Sequence, residues 1–110
     1  MAKQVYIVAH AGIDTFSIKH VCLSEETARA KFAEMTKDDL KEERDYLERV
    51  SQPNYFSDWG NLPEADVDFH RKYTIESIME NIKALEENVY PGAGQIPFDL
   101  PVVEVYDLLD

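Results

Sequence analysis

The stretch Gln4–His10, QVYIVAH, decides the fold of this 110-residue chain. Its β-branched and aromatic residues occupy both alternating faces, which is typical of a strand with neighbours at its edges and cover on at least one face. We therefore predict that it is the central strand of a sheet. The length of the chain and its composition, 45% hydrophobic and 30% charged, predict a single folded domain that spans residues 1–110.

Two further strands are predicted beside the first. The segment Ala11–Thr15 contains Gly12 and Asp14 and predicts a turn, so Phe16–Leu23 is expected to form a hairpin with the opening strand. Pro101–Leu109, PVVEVYDLL, predicts a last strand that returns on the other side. The resulting strand order is 2-1-3.

The apolar pattern of the second strand changes register along its length. Phe16 and Ile18 share one parity, whereas Val21 and Leu23 share the other. Either a β-bulge near Lys19-His20 shifts the register or both faces are partly covered, and we favour a bulge or twist there.

Helical patterns fill the middle of the chain. Ser24, followed by two glutamates, is typical of a helix N-terminus, and the apolar spacing that follows is helical as far as Met35. Leu40 is out of phase with that spacing, which predicts either a kink or two helices, about Glu25–Met35 and Lys37–Val50.

A second long helix is predicted at Ile75–Val89, where isoleucine, leucine and valine form one narrow stripe. Residues 51–68 before it are rich in turn formers and predict a connector. These elements define an α+β fold: a small antiparallel sheet of about three strands with two to three helices packed on one face.

The opening resembles small uncharacterised α+β domains of bacteriophages and mobile elements. The features that carry this resemblance are the VYIV strand, the hairpin, the capped helix S-E-E-x-A-x-x-x-F, and the short strand Val102–Asp110. The resemblance covers about the first 35 and last ten residues. It implies a phage or mobile-element origin, and it implies neither an activity nor site residues.

The chain is strongly acidic, with 22 acidic and 11 basic residues and a net charge of −11. Acidic and basic residues number four and four over residues 1–35, nine and four over 36–66, and nine and three over 67–110, for net charges of 0, −5 and −6. Such a surface repels nucleic acid and anionic lipid and attracts basic partners.

Two acidic helix faces are candidate partner-binding surfaces. Their residues lie opposite the apolar stripes of the two predicted helices. They are Asp38, Glu42 and Asp45 on the first face and Glu76, Glu80 and Glu87 on the second. Each face is either an ordinary solvated surface or one that imitates a nucleic-acid backbone and docks on a basic groove.

An aromatic cluster in the connector is the third candidate. Tyr55, Phe56 and Trp59 lie among polar residues, which is the composition of an interface hot spot. The alternative is that the three rings fold back as a satellite core.

Catalytic and metal sites have weaker signals. His10 and His20 could approach across the hairpin and, with Asp14, bind a metal, but their spacing matches no zinc motif. Cys22, the single cysteine, is interpreted as a small core or half-buried residue. The four glycines fit no phosphate-binding loop, and we expect no cofactor and no metal.

The sequence thus predicts a non-enzymatic acidic binding protein. The favoured function is a phage-encoded inhibitor, of the anti-CRISPR or anti-restriction type, that imitates nucleic acid and blocks a basic nuclease or other nucleic-acid-binding protein. Alternatives are an immunity protein or antitoxin against a toxin nuclease, a small metal-dependent hydrolase, and a structural accessory domain. We expect a monomer or weak dimer in the host cytoplasm, with no direct contact to nucleic acid or membrane.

Overall fold

The computed structural model describes residues 3–52, 55, 64–92 and 99–108. In chain order the elements are β1 (Lys3–Ala11), β2 (Phe16–Cys22), α1 (Glu25–Val50), α2 (Glu64–Glu86) and β3 (Leu100–Leu108). The three strands form an antiparallel sheet in the order β2-β1-β3. This confirms the predicted α+β fold and the central position of the opening strand.

The predicted β-bulge is present in β2. Val8 pairs with His20 and Ala9 with Ile18, so Lys19 is the additional residue on the β2 side. A single inserted residue reverses the facing of every later side chain in a strand. Phe16, Ile18 and Val21 consequently share one face of the sheet despite their mixed spacing.

The first half of α1 covers the other face. The helix begins at the predicted cap, where the Thr27 amide donates to the Ser24 hydroxyl at 3.2 Å. Ala28, Phe32 and Met35 are buried against Val8 and other core residues of the sheet. Burial of a Phe or Met side chain contributes about 1.5–3 kcal/mol, so Phe32 and Met35 hold the helix on the sheet.

The change of phase at Leu40 does not break α1, which is one continuous helix of 26 residues. The helix changes its partner along its length: Phe32 and Met35 pack on the sheet, whereas Leu47 and Val50 pack on α2. Val50 follows Phe32 by five helical turns and lies on the same side of α1, so one broad apolar stripe serves both partners and no kink is required.

The second helix differs from its predicted bounds. It begins at Glu64, eleven residues before the predicted start at Ile75, and ends at Glu86. Ile78 and Leu85 are buried as expected, but Val89 lies beyond the helix and is exposed. The Asn88 side chain donates to the carbonyl of Pro101 at 2.9 Å, which ties this segment to β3.

The protein is elongated, with principal extents of 65 × 23 × 21 Å. The cause is that α2 packs mainly along the second half of α1, so the two helices continue past the sheet. Neither of the two described helices is sufficiently long and apolar to cross a membrane.

A tight turn after α2 closes the outer edge of β3. The amide of Val103 donates to the carbonyl of Pro91 at 2.7 Å. Gly92 has a φ of +88°, and a Cβ atom there would lie 2.3 Å from the carbonyl oxygen of Pro101. Only glycine fits this position, because both the backbone conformation and the space exclude a side chain.

We expect Gly92→Ala to lower the free energy of unfolding by about 2 kcal/mol or more, from positive-φ strain and displacement of β3. Urea unfolding followed by circular dichroism measures the change. Gly12→Ala is the matched control, since Gly92 is the single positive-φ residue among those described. Equal stabilities for the two variants would contradict the close approach.

Candidate functional site

A recess of about 390 Å³ opens where α1 passes the end of the hairpin. Residues of β1, β2, α1 and the start of β3 contribute to its wall. They are His10, Ser17, Lys19, Asp39, Glu42, Glu43 and Asp99. Four carboxylates face one lysine and one imidazole, so the recess is strongly acidic.

His10 and Asp39 join the sheet to the helix inside this recess. The Nε2 atom of His10 lies 2.7 Å from Oδ2 of Asp39, and both side chains are largely buried. Asp39 follows Met35 by four residues and therefore lies on the stripe of α1 that faces the sheet. The carboxylate thus replaces an apolar contact with a polar one at the edge of the core.

Glu43 lies one turn further along α1. Burial raises the pKa of its carboxyl above the ordinary value of 4.5, and repulsion from Glu42 and Asp39 raises it further, while a hydrogen bond from Asn81 lowers it. One carboxylate oxygen of Glu43 is buried without a hydrogen-bond partner. Burial and repulsion therefore disfavour the negative charge of Glu43, and a cation bound in the recess would stabilise that charge.

The remaining wall residues come from local features of the two edges. Lys19 is the bulged residue of β2, so its position depends on the extra residue in that strand. Asp99 immediately precedes β3 and accepts a hydrogen bond from the Thr15 hydroxyl. An opening of this size with convergent carboxylates suits a basic side chain such as arginine or lysine.

Among the described wall residues of the recess, the serine is not hydrogen-bonded to the histidine. Ser17 lies opposite His10 in the strand pairing, but its hydroxyl makes no hydrogen bond to the imidazole. A nucleophile and its base need that contact. Across the part of the chain that the structure describes, no three His, Cys, Asp or Glu side chains are grouped to hold a metal ion.

The histidines and cysteine of the sequence analysis are placed as follows. His10 contacts Asp39, whereas Asp14 lies beside Thr15 and Asp99 in an adjoining pocket that shares Asp99 with the recess. His20 is half-buried on the sheet. Cys22 is a free, buried thiol in the main core, which confirms its interpretation as a core residue.

The predicted acidic face of α1 borders the recess. Asp38, Glu42 and Asp45 are all exposed, and Glu42 also lines the recess. The face and the recess thus form one continuous acidic surface, which we call the α1 acidic surface and define by Asp38, Glu42, Asp45 and the recess residues.

The predicted acidic cluster of α2 lies elsewhere. Glu76 and Glu80 are exposed and lie about 160° from Ile78 around the helix. Ile78 packs against Val50 of α1, so the two glutamates point away from α1. Glu87 is exposed just after the helix ends. The two acidic clusters therefore do not form a single surface.

Only one of the three connector aromatics can be placed. Tyr55 is half-buried, with its ring centroid 6.3 Å from that of Tyr46 and its side chain packed on the cluster between the two helices. A hydrogen bond with Tyr55 is the main cause that raises the pKa of Tyr46. Phe56 and Trp59 lie outside the described residues.

Two exposed aromatic side chains of α2 were not among the residues predicted from the sequence. Phe69 and Tyr73 are 67% and 64% exposed on the outer side of α2, in line with Glu76 and Glu80. They were missed because the helix was predicted to begin at Ile75, which left both residues outside it. Their spacing of four residues was the available signal.

The sequence analysis also missed Asp39, Glu43 and Asp99. The sequence spacing could have identified Asp39, because it falls seven residues after Phe32 and four after Met35, where a core residue is expected. No local pattern identifies Asp99, since its position depends on how β3 returns beside β1.

Comparison with known proteins adds no relative. No family model, curated protein or solved structure matches the chain. Function is therefore inferred from the chemistry of the recess and of the exposed faces.

We expect Asp39→Ala to lower the free energy of unfolding by about 1–2 kcal/mol, because His10 loses its partner in a largely buried setting. Asp38→Ala, one residue away but exposed, should change stability by less than about 0.5 kcal/mol. A double-mutant cycle with His10→Ala isolates the pair, and the expected coupling is about 1 kcal/mol. A coupling near zero would show that the contact contributes nothing.

We expect Glu43→Gln to change how stability depends on pH. The folded-state pKa lies above the unfolded value of 4.5, so the folded state binds more protons between these two values. Stability from this group is thus lost as pH rises through that window. The variant should lack this loss and be more stable than the wild type at pH 7.

Thermal unfolding between acidic and neutral pH tests this expectation. Glu48→Gln, an exposed position on α1, is the matched control and should keep the wild-type pH profile. Identical profiles for Glu43→Gln and the wild type would show that burial of Glu43 has no energetic consequence.

Proposed function

We propose that this chain is a non-enzymatic binding protein that docks its α1 acidic surface on a basic region of a nucleic-acid-binding protein. A basic side chain of the partner enters the recess, while Asp38 and Asp45 contact cations around it. The chain then occupies the surface that the partner uses for phosphate groups, and it acts as an inhibitor.

The observation that carries this proposal is the continuity between the exposed acidic face and the recess. An exposed helix face alone is ordinary, because solvation accounts for it. The recess adds four converging carboxylates in a concave opening and a Glu43 carboxyl whose pKa is raised by burial and like charges. A guanidinium or ammonium group that enters the recess reduces the repulsion among these carboxylates. The recess is therefore expected to bind a cation more strongly than an exposed acidic helix face does.

The finer assignment follows from the sequence. The resemblance to phage and mobile-element domains favours a phage-encoded inhibitor of a CRISPR effector, a restriction enzyme or another host nuclease. An immunity protein or antitoxin against a basic toxin nuclease would use the same contacts. Co-expression with such a toxin distinguishes the two, since only an immunity protein rescues growth.

The test compares two charge reversals of equal size. Asp38→Lys with Glu42→Lys changes the α1 acidic surface, and Glu76→Lys with Glu80→Lys changes the cluster on the far side of α2. Each variant replaces two acidic residues by lysine, so both change the net charge equally. In each pair the two positions are exposed and four residues apart. Immobilised wild type and both variants are exposed to bacterial lysate at about 50 and 300 mM salt, and retained proteins are identified.

We expect the wild type and the α2 variant to retain the same basic protein at low salt and the α1 variant to lose it by at least about tenfold. The retained protein should also release bound DNA or RNA when the wild type is added. Equal loss in both variants would indicate unspecific charge attraction, and loss in the α2 variant alone would move the site to α2; either result refutes docking through the recess.

A further inference from the structure

We infer that the exposed part of the sheet face opposite α1 is the interface of a homodimer, in which the two copies bring these parts of their sheets together. This inference is independent of the proposed function, because it uses a different surface and a different kind of contact.

The face carries a patch of exposed apolar side chains. Val21 is 61% exposed, Ile18 54%, Tyr106 50% and Phe16 47%. Strand pairing puts all four on the same side of the sheet, because their partners on β1 alternate with the residues that face α1. We call this set, together with Leu108, the open-face patch.

The patch is continuous along one side of the sheet. Val5 and Ile7 lie half-buried on β1 between the exposed residues of β2 and those of β3. Ala9 and Val102 are buried further along the same face, so the exposed region is limited to β2 and to the end of the sheet near Leu108. Hydrophobic residues exposed singly are common, but a connected set marks an interaction surface.

The charge distribution favours a second copy of this chain, rather than a basic partner, on the open-face patch. The three strands together contain two basic and two acidic residues. In contrast, α1 contains nine acidic and six basic residues, and α2 contains six and three. A strongly basic partner is attracted to the helices rather than to this neutral face, whereas face-to-face pairing keeps the acidic helices of two copies on opposite outer sides.

The available area fits a weak dimer. The exposed apolar surface is on the order of 500 Å² per copy, from ordinary side-chain areas and the exposed fractions. Two copies would bury about 1,000 Å² in total, at the low end for specific interfaces. Pairing through the free edge of β2 is less favourable, because the bulge at Lys19 interrupts its row of backbone groups.

A two-fold axis in the plane of the interface brings each patch against itself. Among the described strand residues, Glu104 and Lys3 are the charged side chains of this face. Lys3 lies at its end beside Leu108, whereas Glu104 lies near the centre, paired with Ile7 and hydrogen-bonded by the Tyr106 hydroxyl. Its burial without a cation opposes association, so its neutralisation should strengthen the dimer.

Sedimentation velocity of the full chain between about 1 and 300 µM tests the inference, and we expect a monomer–dimer equilibrium with Kd of about tens of micromolar. Ile18→Lys with Val21→Lys should weaken the dimer at least about tenfold. Phe69→Lys with Met79→Lys, which changes exposed apolar residues of α2, is the matched control and should leave it unchanged. Circular dichroism and thermal unfolding establish that each variant is folded.

A second variant does not depend on disrupting the strand. Glu104→Gln should lower Kd several-fold, and higher salt should also favour the dimer because it screens repulsion between acidic copies. A monomer throughout the concentration range, a dimer that persists in folded Ile18→Lys with Val21→Lys, or a weaker dimer in Glu104→Gln would each overturn the inference. Failure of this test leaves lysate capture by the α1 acidic surface unaffected.

Discussion

The burial of Ala28, Phe32 and Met35 against Val8 of the central strand is the contact on which the rest of the structure depends. The second helix packs mainly on α1 rather than on the sheet. Its contact lies on the second half of α1, where Val50 meets Ile78. The protein is elongated because α1 packs on the sheet with its first half and on α2 with its second half.

The same contact positions the acidic recess. Once Met35 is seated on the sheet, the next turn of α1 places Asp39 above the end of β1, within 2.7 Å of His10. Glu42 and Glu43 follow on the adjoining sides of the helix, one exposed and one partly buried. The recess is therefore a consequence of a carboxylate at a core-facing position, and the bulged Lys19 offsets only part of its negative charge.

Charge and hydrophobicity are separated between the two layers of the molecule. The helices carry the excess of acid, whereas the strands are neutral and keep most of their exposed apolar side chains on the side away from α1; Val105, on the α1 side, is an exception. Long-range attraction of a basic partner and short-range apolar association consequently act on different faces. In this arrangement a dimer would present two acidic surfaces outward, and binding at one surface would not compete with the pairing of the sheets.

What the sequence determined by itself was local or strongly periodic. The alternation of Gln4–His10, the change of parity that predicts the bulge, and the cap at Ser24 each depend on neighbouring residues, and all are present in the structure. The order of the strands followed from one hairpin and one returning strand. The continuous helix across Leu40, the early start of α2 and the meeting of His10 with Asp39 were decided by tertiary structure. Each depends on which surface a helix face meets, and that contact joins residues about thirty positions apart, beyond the reach of local propensity.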